Sequence, residues 1–302
     1  MSDYHSELKP VFIVGTPRSG TTLLYRTFLK HPSFKPKDLC LEETKIFLNP
    51  DVAIISHQKP ASLFNYMLED EETYLKYLKS IRPERIWQEI FVKSRLIRFF
   101  SDKPASWNLL LNARVIRKYF YYSKQARGCK RLIEKTPRHL LRYNRIFETL
   151  PNSKIIITIR HPVDVLSSYI KRKQKDPDSK WLDISLPDFI KRYRDMSVYV
   201  SELNKSDNAL CVKYENFVDN PEQVFRQICG HINEPFLNEP LTGGEKRLSD
   251  YKMDPYLSKP IIQKTKNWSD YLSDDQVIEL EQKLEPEMNQ FGYTSRLTNL
   301  SS

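Results

Sequence analysis

Short uninterrupted apolar runs recur along the chain, and most are followed by a stretch whose apolar positions repeat every three to four residues. The runs are VFIV at 11–14, KIIITI at 154–159 and ALCVKY at 209–214, with RLIEK at 131–135 and DLCLEE at 38–43 as weaker fourth and fifth members. Continuous rather than alternating apolar residues fit strands buried on both faces of a parallel sheet. The helical patterns are LLYRTFLKH after the first run, RHLLRYNRIFETL between RLIEK and KIIITI, VDVLSSYIKRKQ after KIIITI, and PEQVFRQICGHI after ALCVKY. Pro221 suits the first turn of the last of these. Strands alternating with helices predict an α/β fold: a central parallel sheet flanked by helices, in one domain spanning 1–302.

Residues 50–128 break this rhythm. YMLEDEETYLKYLKSI, EIFVKSRLIRFF and VIRKYFYYSK are rich in aromatics and helix formers, with no clear strand. They predict a helical insertion. Ligands of open α/β sheets bind outside the carboxyl ends of the strands, so an insertion there is placed to shape an acceptor pocket. From 274 onward, DDQVIELEQKLEPEMNQFGY reads as one amphipathic helix ended by Gly292.

Composition narrows the classes. At 302 residues and 40% hydrophobic content the chain can build a sizeable core. A formal net charge of +10 favours an anionic ligand or surface without choosing among nucleotide, nucleic acid and membrane. Cys40, Cys129, Cys211 and Cys229 lie far apart, with no CxxC pair, which argues against a zinc site or a disulfide framework. The start, MSDYHSELKP, is polar, and no apolar run approaches the ~20 residues of a membrane span. A soluble, cytoplasmic protein is expected, with no membrane partner. No recognition motif with interleaved aromatics points to nucleic acid.

The chemistry starts at VFIVGTPRSGTT, residues 11–22. Gly15 and Gly20 permit a tight turn and a close backbone approach to a ligand. Amides of the loop and of the following helix start converge on one point, where the helix dipole favours an anion. Arg18 adds charge, and Ser19, Thr21 and Thr22 add hydroxyls. The spacing is that of a phosphate loop, but the usual lysine is absent, which weakens the case for a kinase or ATPase. The string TPRSGTTLL resembles the 5′-phosphosulfate loop of sulfotransferases that use 3′-phosphoadenosine 5′-phosphosulfate (PAPS). That resemblance implies Arg18, Ser19, Gly20, Thr21 and Thr22 as donor-binding residues, and it demands a second anion site.

KIIITIRHPVDVLSSYI meets the demand: Arg160 just past a strand, then a helix carrying Ser168 resembles the family's 3′-phosphate motif. Arg offers a planar fork and Ser a short neutral donor to phosphate. VKYENFVDNPEQVF is similar to the segment whose tyrosine contacts the nucleotide, here Tyr214. SKPIIQKTKNWSDYLS resembles the late loop that closes over the donor and offers Ser258, Lys264 and Lys266.

Sulfuryl transfer needs a base, cations and positioning, and requires no metal. EET at 42–44 is similar to a segment of the tyrosylprotein sulfotransferases in which the second Glu is the base, which implies Glu43. Lys45 stands where those proteins have Arg. RLIEKTPRHLLRY resembles the strand-end Lys-x-Pro segment whose lysine steadies the sulfuryl oxygens, which implies Lys135, with Arg18 acting from the other side. His139 is the alternative base, and His161 reads as structural. The acceptor, a small molecule or a peptide, stays open. So do two rivals: a kinase- or NTPase-like enzyme with an altered loop, and a non-catalytic nucleotide-binding module.

Overall fold

The computed structural model describes residues 8–34, 43–44, 47–48, 128–242, 261 and 268–297, with isolated positions between 113 and 124. Four strands, β1 (Val11–Gly15), β2 (Ile133–Lys135), β3 (Lys154–Ile159) and β4 (Ala209–Lys213), form one parallel sheet in the order β2-β1-β3-β4. β1 pairs with β2 in the register Val11↔Ile133, Phe12↔Glu134, Ile13↔Lys135. Residues Val11 to Val14 are all fully buried, as an interior strand covered on both faces requires.

Helices with bounds among the described residues are α1 (Thr21–Leu29), α2 (Tyr143–Thr149), α3 (Pro162–Lys175), α4 (Leu186–Leu203), α5 (Tyr214–Asp219), α6 (Pro221–Ile232), α7 (Asp274–Lys283) and α8 (Glu285–Gln290). α3 starts with Pro162 in its first turn, is capped by the His161 side chain accepting from the Val163 amide, and carries Arg172, Lys173 and Lys175 in its last turn. α6 stops where Asn233 turns left-handed.

The chain divides into two compact units, and the divisions fall inside β1 and β3. One holds Met1–Ile13 and Tyr25–Ile155, the other Val14–Leu24 and Ile156–Ser302. In the first, the Phe12, Phe47 and Phe120 rings pack around one another, with Phe12 and Phe47 edge to face at 5.8 Å. In the second, Val163, Leu166 and Tyr169 of α3 pack with Phe189, Ile190 and Tyr193 of α4 and with Val277 and Leu280 of α7.

Three expectations change. RHLLRYNRIFETL is a 3-10 turn, Pro137–Arg142, followed by α2. The tail breaks into α7 and α8 at Leu284, with Pro286 in the first turn of α8: its ring cannot continue a helix from the preceding turn. α4 stands in a stretch for which no helix was expected, although Phe189, Ile190, Tyr193, Met196, Val200 and Leu203 make a clear buried stripe. The fifth strand, apart from Glu43, lies outside the described residues. So does most of the insertion over 50–128, of which Ala113, Ile116, Arg117, Phe120, Tyr121 and Lys124 are helical.

Candidate active site

The β1–α1 loop is strained and interlocked. Gly15, Arg18 and Gly20 all take positive φ, 147°, 74° and 95°. For Arg18 that conformation costs about 1–3 kcal/mol, and such strain collects at ligand-binding turns. A Cβ on Gly15 would lie 2.1 Å from the Thr158 carbonyl oxygen, and one on Gly20 would lie 2.3 Å from the Tyr214 ring. Neither position admits a side chain. Ser19 is wholly buried: its hydroxyl donates to the Thr158 carbonyl at 3.0 Å and lies 2.7 Å from the Thr158 hydroxyl. That side chain fastens the loop to β3. Thr21 and Thr22 open α1, where the first backbone amides have no partner within the helix.

The second motif reaches this loop directly. Arg18 Nε donates to Ser168 Oγ at 3.1 Å, and Arg160 Nη1 donates to the Arg18 carbonyl at 3.4 Å. The Arg160 guanidinium sits 4.4 Å from the centre of the Tyr214 ring. Tyr193 Oη donates to the Arg160 carbonyl at 2.8 Å. Arg160 is 4% exposed, yet its Nε has no hydrogen-bond partner among the described residues, and neither does the buried Thr16 Oγ1. A buried guanidinium N–H left unsatisfied is costly unless an anion completes it. The donor set therefore fits a phosphate-bearing ligand.

Behind Arg160, the start of α3 is stitched to the far end of the chain. The His161 amide donates to Glu215 Oε1 at 2.9 Å, and His161 Nε2 lies 3.0 Å from the Thr294 carbonyl. Tyr293 Oη donates to Glu215, Ser295 Oγ to Glu281, and Arg296 to Asp164 at 2.6 Å. Burial, reinforced by the Arg296 cation, pushes the His161 imidazole down to about 4.

The first unit holds a second cluster. Lys135, the last residue of β2, is 3% exposed, and its Nζ lies 2.8 Å from Glu43 Oε1. One position earlier, Glu134 Oε1 accepts from the Thr44 amide (3.1 Å), the Thr44 hydroxyl (2.9 Å) and the Thr136 hydroxyl (2.5 Å). Glu134 Oε2 lies 3.1 Å from His139 Nδ1. The other ring nitrogen, Nε2, accepts from the Phe47 amide at 3.2 Å. His139 is wholly buried, so both nitrogens are committed within the protein. Burial pushes the Glu134 carboxyl up, but hydrogen bonds from His139, Thr136 and Thr44 work against it, and the group is held below the usual carboxylate range.

Thus Arg18, Ser19, Gly20, Thr21, Thr22, Arg160, Ser168 and Tyr214 gather in one unit, and Glu43, Lys135 and His139 in the other. Ser258, Lys264 and Lys266 lie outside the described residues. Sequence reading missed Thr158, Tyr193 and Glu134. A hydroxyl inside the apolar run KIIITI and a carboxylate beside a strand-end lysine were the available signals. Among the described residues there is no group of three His, Cys, Asp or Glu side chains that could hold a metal ion, and no helix long and apolar enough to cross a membrane.

Comparison with known proteins bears on the family and the fold. The chain is similar to protein-tyrosine sulfotransferase 1 of Danio rerio, 24% identical over 248 residues, which are 79% of this chain and 57% of that protein. It is also similar to the protein-tyrosine sulfotransferase of Drosophila melanogaster, 23% identical over 248 residues, covering 79% of this chain and 40% of that protein. The chain thus spans about half the length of these curated relatives. In structure it resembles the sulfotransferase domain from the Synechococcus PCC 7002 olefin synthase (TM-score 0.54, 20% identity, 95% of this chain and 96% of that one). It likewise resembles the sulfotransferase domain from the curacin biosynthetic pathway (TM-score 0.51, 18% identity, 95% and 98%). These two likenesses show the shared fold. Residues 10–238 match the model of the sulfotransferase family, and the chain belongs to that family.

Proposed function

We propose that the chain transfers the sulfuryl group of PAPS to an acceptor hydroxyl or amine. The observation that carries this reading is Arg160: a buried guanidinium with an unsatisfied Nε, bonded to the carbonyl of a phosphate loop that lacks its lysine. A nucleotide with charge at both ends needs two separate anion sites, and an ordinary triphosphate does not.

PAPS supplies an activated sulfuryl group on a phosphate leaving group. The residues divide the remaining work. Loop amides from Gly20 to Thr22, with the Thr21 and Thr22 hydroxyls and Arg18, hold the 5′ end. Arg160 and Ser168 hold the 3′-phosphate, and Tyr214 packs against Arg160 and the nucleoside. Ser258, Lys264 and Lys266 are the further donor-binding residues that the resemblance implies. Glu43 takes the acceptor proton. Lys135 and Arg18 balance negative charge that grows on the leaving oxygen. No step in this scheme calls for a metal ion. The likeness to two protein-tyrosine sulfotransferases favours a phenolic acceptor, free or peptidyl.

The test is incubation with ³⁵S-labelled PAPS and a panel comprising a tyrosyl peptide, 4-nitrophenol, an aliphatic alcohol and an amine, in the presence of EDTA. Label should appear on at least one acceptor, and calorimetry should show the desulfated nucleotide bound more tightly than ATP. Magnesium-dependent ATP turnover with no sulfuryl transfer would overturn the reading.

A further inference from the structure

We propose that Glu134 and His139 form a buried positioning pair that fixes Glu43, so that His139 serves the reaction through Glu43 rather than by taking the acceptor proton itself. The proposal rests on the sulfotransfer reading above and goes beyond it.

The geometry is specific. Glu134 grips Thr44, the residue next to Glu43, through both its amide and its hydroxyl. Three residues further along, the Phe47 amide donates to His139 Nε2. An imidazole nitrogen that accepts an N–H bears no proton, so the ring hydrogen sits on Nδ1 and points at Glu134 Oε2, 3.1 Å away. Carboxylate and imidazole thus act as one unit, holding the Glu43-bearing stretch at Thr44 and at Phe47. The unit is itself braced: Thr136 donates to Glu134, and His139 is boxed by the Phe47 ring at 5.2 Å and the Phe12 ring at 6.4 Å. In such an apolar box the polar contacts are strong and a missing partner is costly. β2 supplies the logic of the placement. Glu134 and Lys135 are consecutive: Lys135 faces the Glu43 carboxylate, while Glu134 holds Thr44, the residue beside it.

A base in this position would need a ring nitrogen open to an acceptor. His139 has neither nitrogen open and no exposed surface. A positioning residue needs what His139 has: one donor, one acceptor and rigid walls.

The test compares H139L, H139Q and E134Q with wild type, using whichever of the tyrosyl peptide and 4-nitrophenol the wild type sulfates. Leucine removes both hydrogen bonds, whereas the Gln amide offers an acceptor for Phe47 and a donor for Glu134. H139L should lower kcat about 10- to 100-fold with the affinity for the desulfated nucleotide unchanged, and H139Q should restore most of the rate. Added to E43Q, H139L should lower the rate little further, because both changes disable the same step. Hydrogen exchange gives a readout independent of turnover: the Thr44 and Phe47 amides should exchange faster in H139L, and the Thr44 amide in E134Q, but not in E43Q. Thermal unfolding and nucleotide binding confirm that each variant is folded, and E134Q carries the test if H139L is not. Equal inactivity of H139L and H139Q, full additivity with E43Q, or unchanged exchange at Thr44 and Phe47 would each overturn the proposal. Failure of the sulfotransfer reading looks different: no label moves from PAPS in the wild type, while the exchange result still reports on the pair.

Discussion

Arg160 and Lys135 are both nearly inaccessible cations at the carboxyl ends of strands, yet they are kept in opposite states. Arg160 has no carboxylate within ion-pair range among the described residues and keeps an unsatisfied Nε, its other contacts being a loop carbonyl and the Tyr214 ring. Lys135 faces the Glu43 carboxylate at 2.8 Å. On the proposed function, the difference separates a cation whose counter-charge arrives with a ligand from one that carries its own. A site that receives a permanent anion leaves its guanidinium uncompensated. Lys135 already has a protein carboxylate as its partner, which offsets the cost of burying its ammonium.

The comparison can be broken most sharply at Glu43. The substitution Glu43→Gln should cut kcat by about 10²–10⁴ while leaving nucleotide affinity within a factor of about two. Steady-state rates and calorimetry on the same preparation check both halves. Undiminished turnover would remove Glu43 as the base.

Acid should undermine the donor side through His161. Its folded value of about 4 lies below the ordinary 6.5, so the unfolded chain binds the extra proton more readily. The stability it contributes is present above pH 6.5 and is lost as pH falls from 6.5 towards 4, on the order of 3 kcal/mol in all. Urea unfolding at pH 7.5 and 4.5 should show this slope in the wild type. It should be flatter in His161→Asn, whose side chain can still cap Val163.

A smaller effect is expected at Arg160. Replacement by Ala should weaken binding of the 3′-phosphorylated nucleotide by about 10- to 100-fold, a charge-assisted contact of about 1.5–3 kcal/mol, and change adenosine 5′-phosphosulfate binding much less. Equal losses for both nucleotides would mean that Arg160 does not read the 3′ end. The mildest change is Ser168→Ala, which removes a neutral donor and the acceptor for Arg18. It should raise the dissociation constant by about 3- to 10-fold.

The two regions also differ in how legible they were. VFIVGTPRSGTT and KIIITIRHP announce the donor side because strand, turn and functional residue are contiguous, so local rules of burial and backbone freedom suffice. The role of Ser19 was not readable: a hydroxyl in a phosphate loop suggests ligand contact, and only the register of β3 brings Thr158 beneath it. The Glu43 side was visible only through resemblance. Glu134 and Thr44 stand 90 positions apart, and no local pattern pairs them. α4 escaped notice because two residues in its stripe, Tyr193 and Met196, sit among charges that dilute the periodicity, while tertiary packing on α3 and α7 supplies the order.

The stitching of Tyr293, Thr294, Ser295 and Arg296 onto Glu215, His161, Glu281 and Asp164 has a practical corollary. These residues lie directly behind the guanidinium assigned to the 3′-phosphate, although they follow it by more than a hundred positions. Shortening the polypeptide to residue 292, or pulling on that stretch with a fused carrier, would loosen donor recognition from a distance. Any fused appendage should therefore be kept clear of residues 293–296.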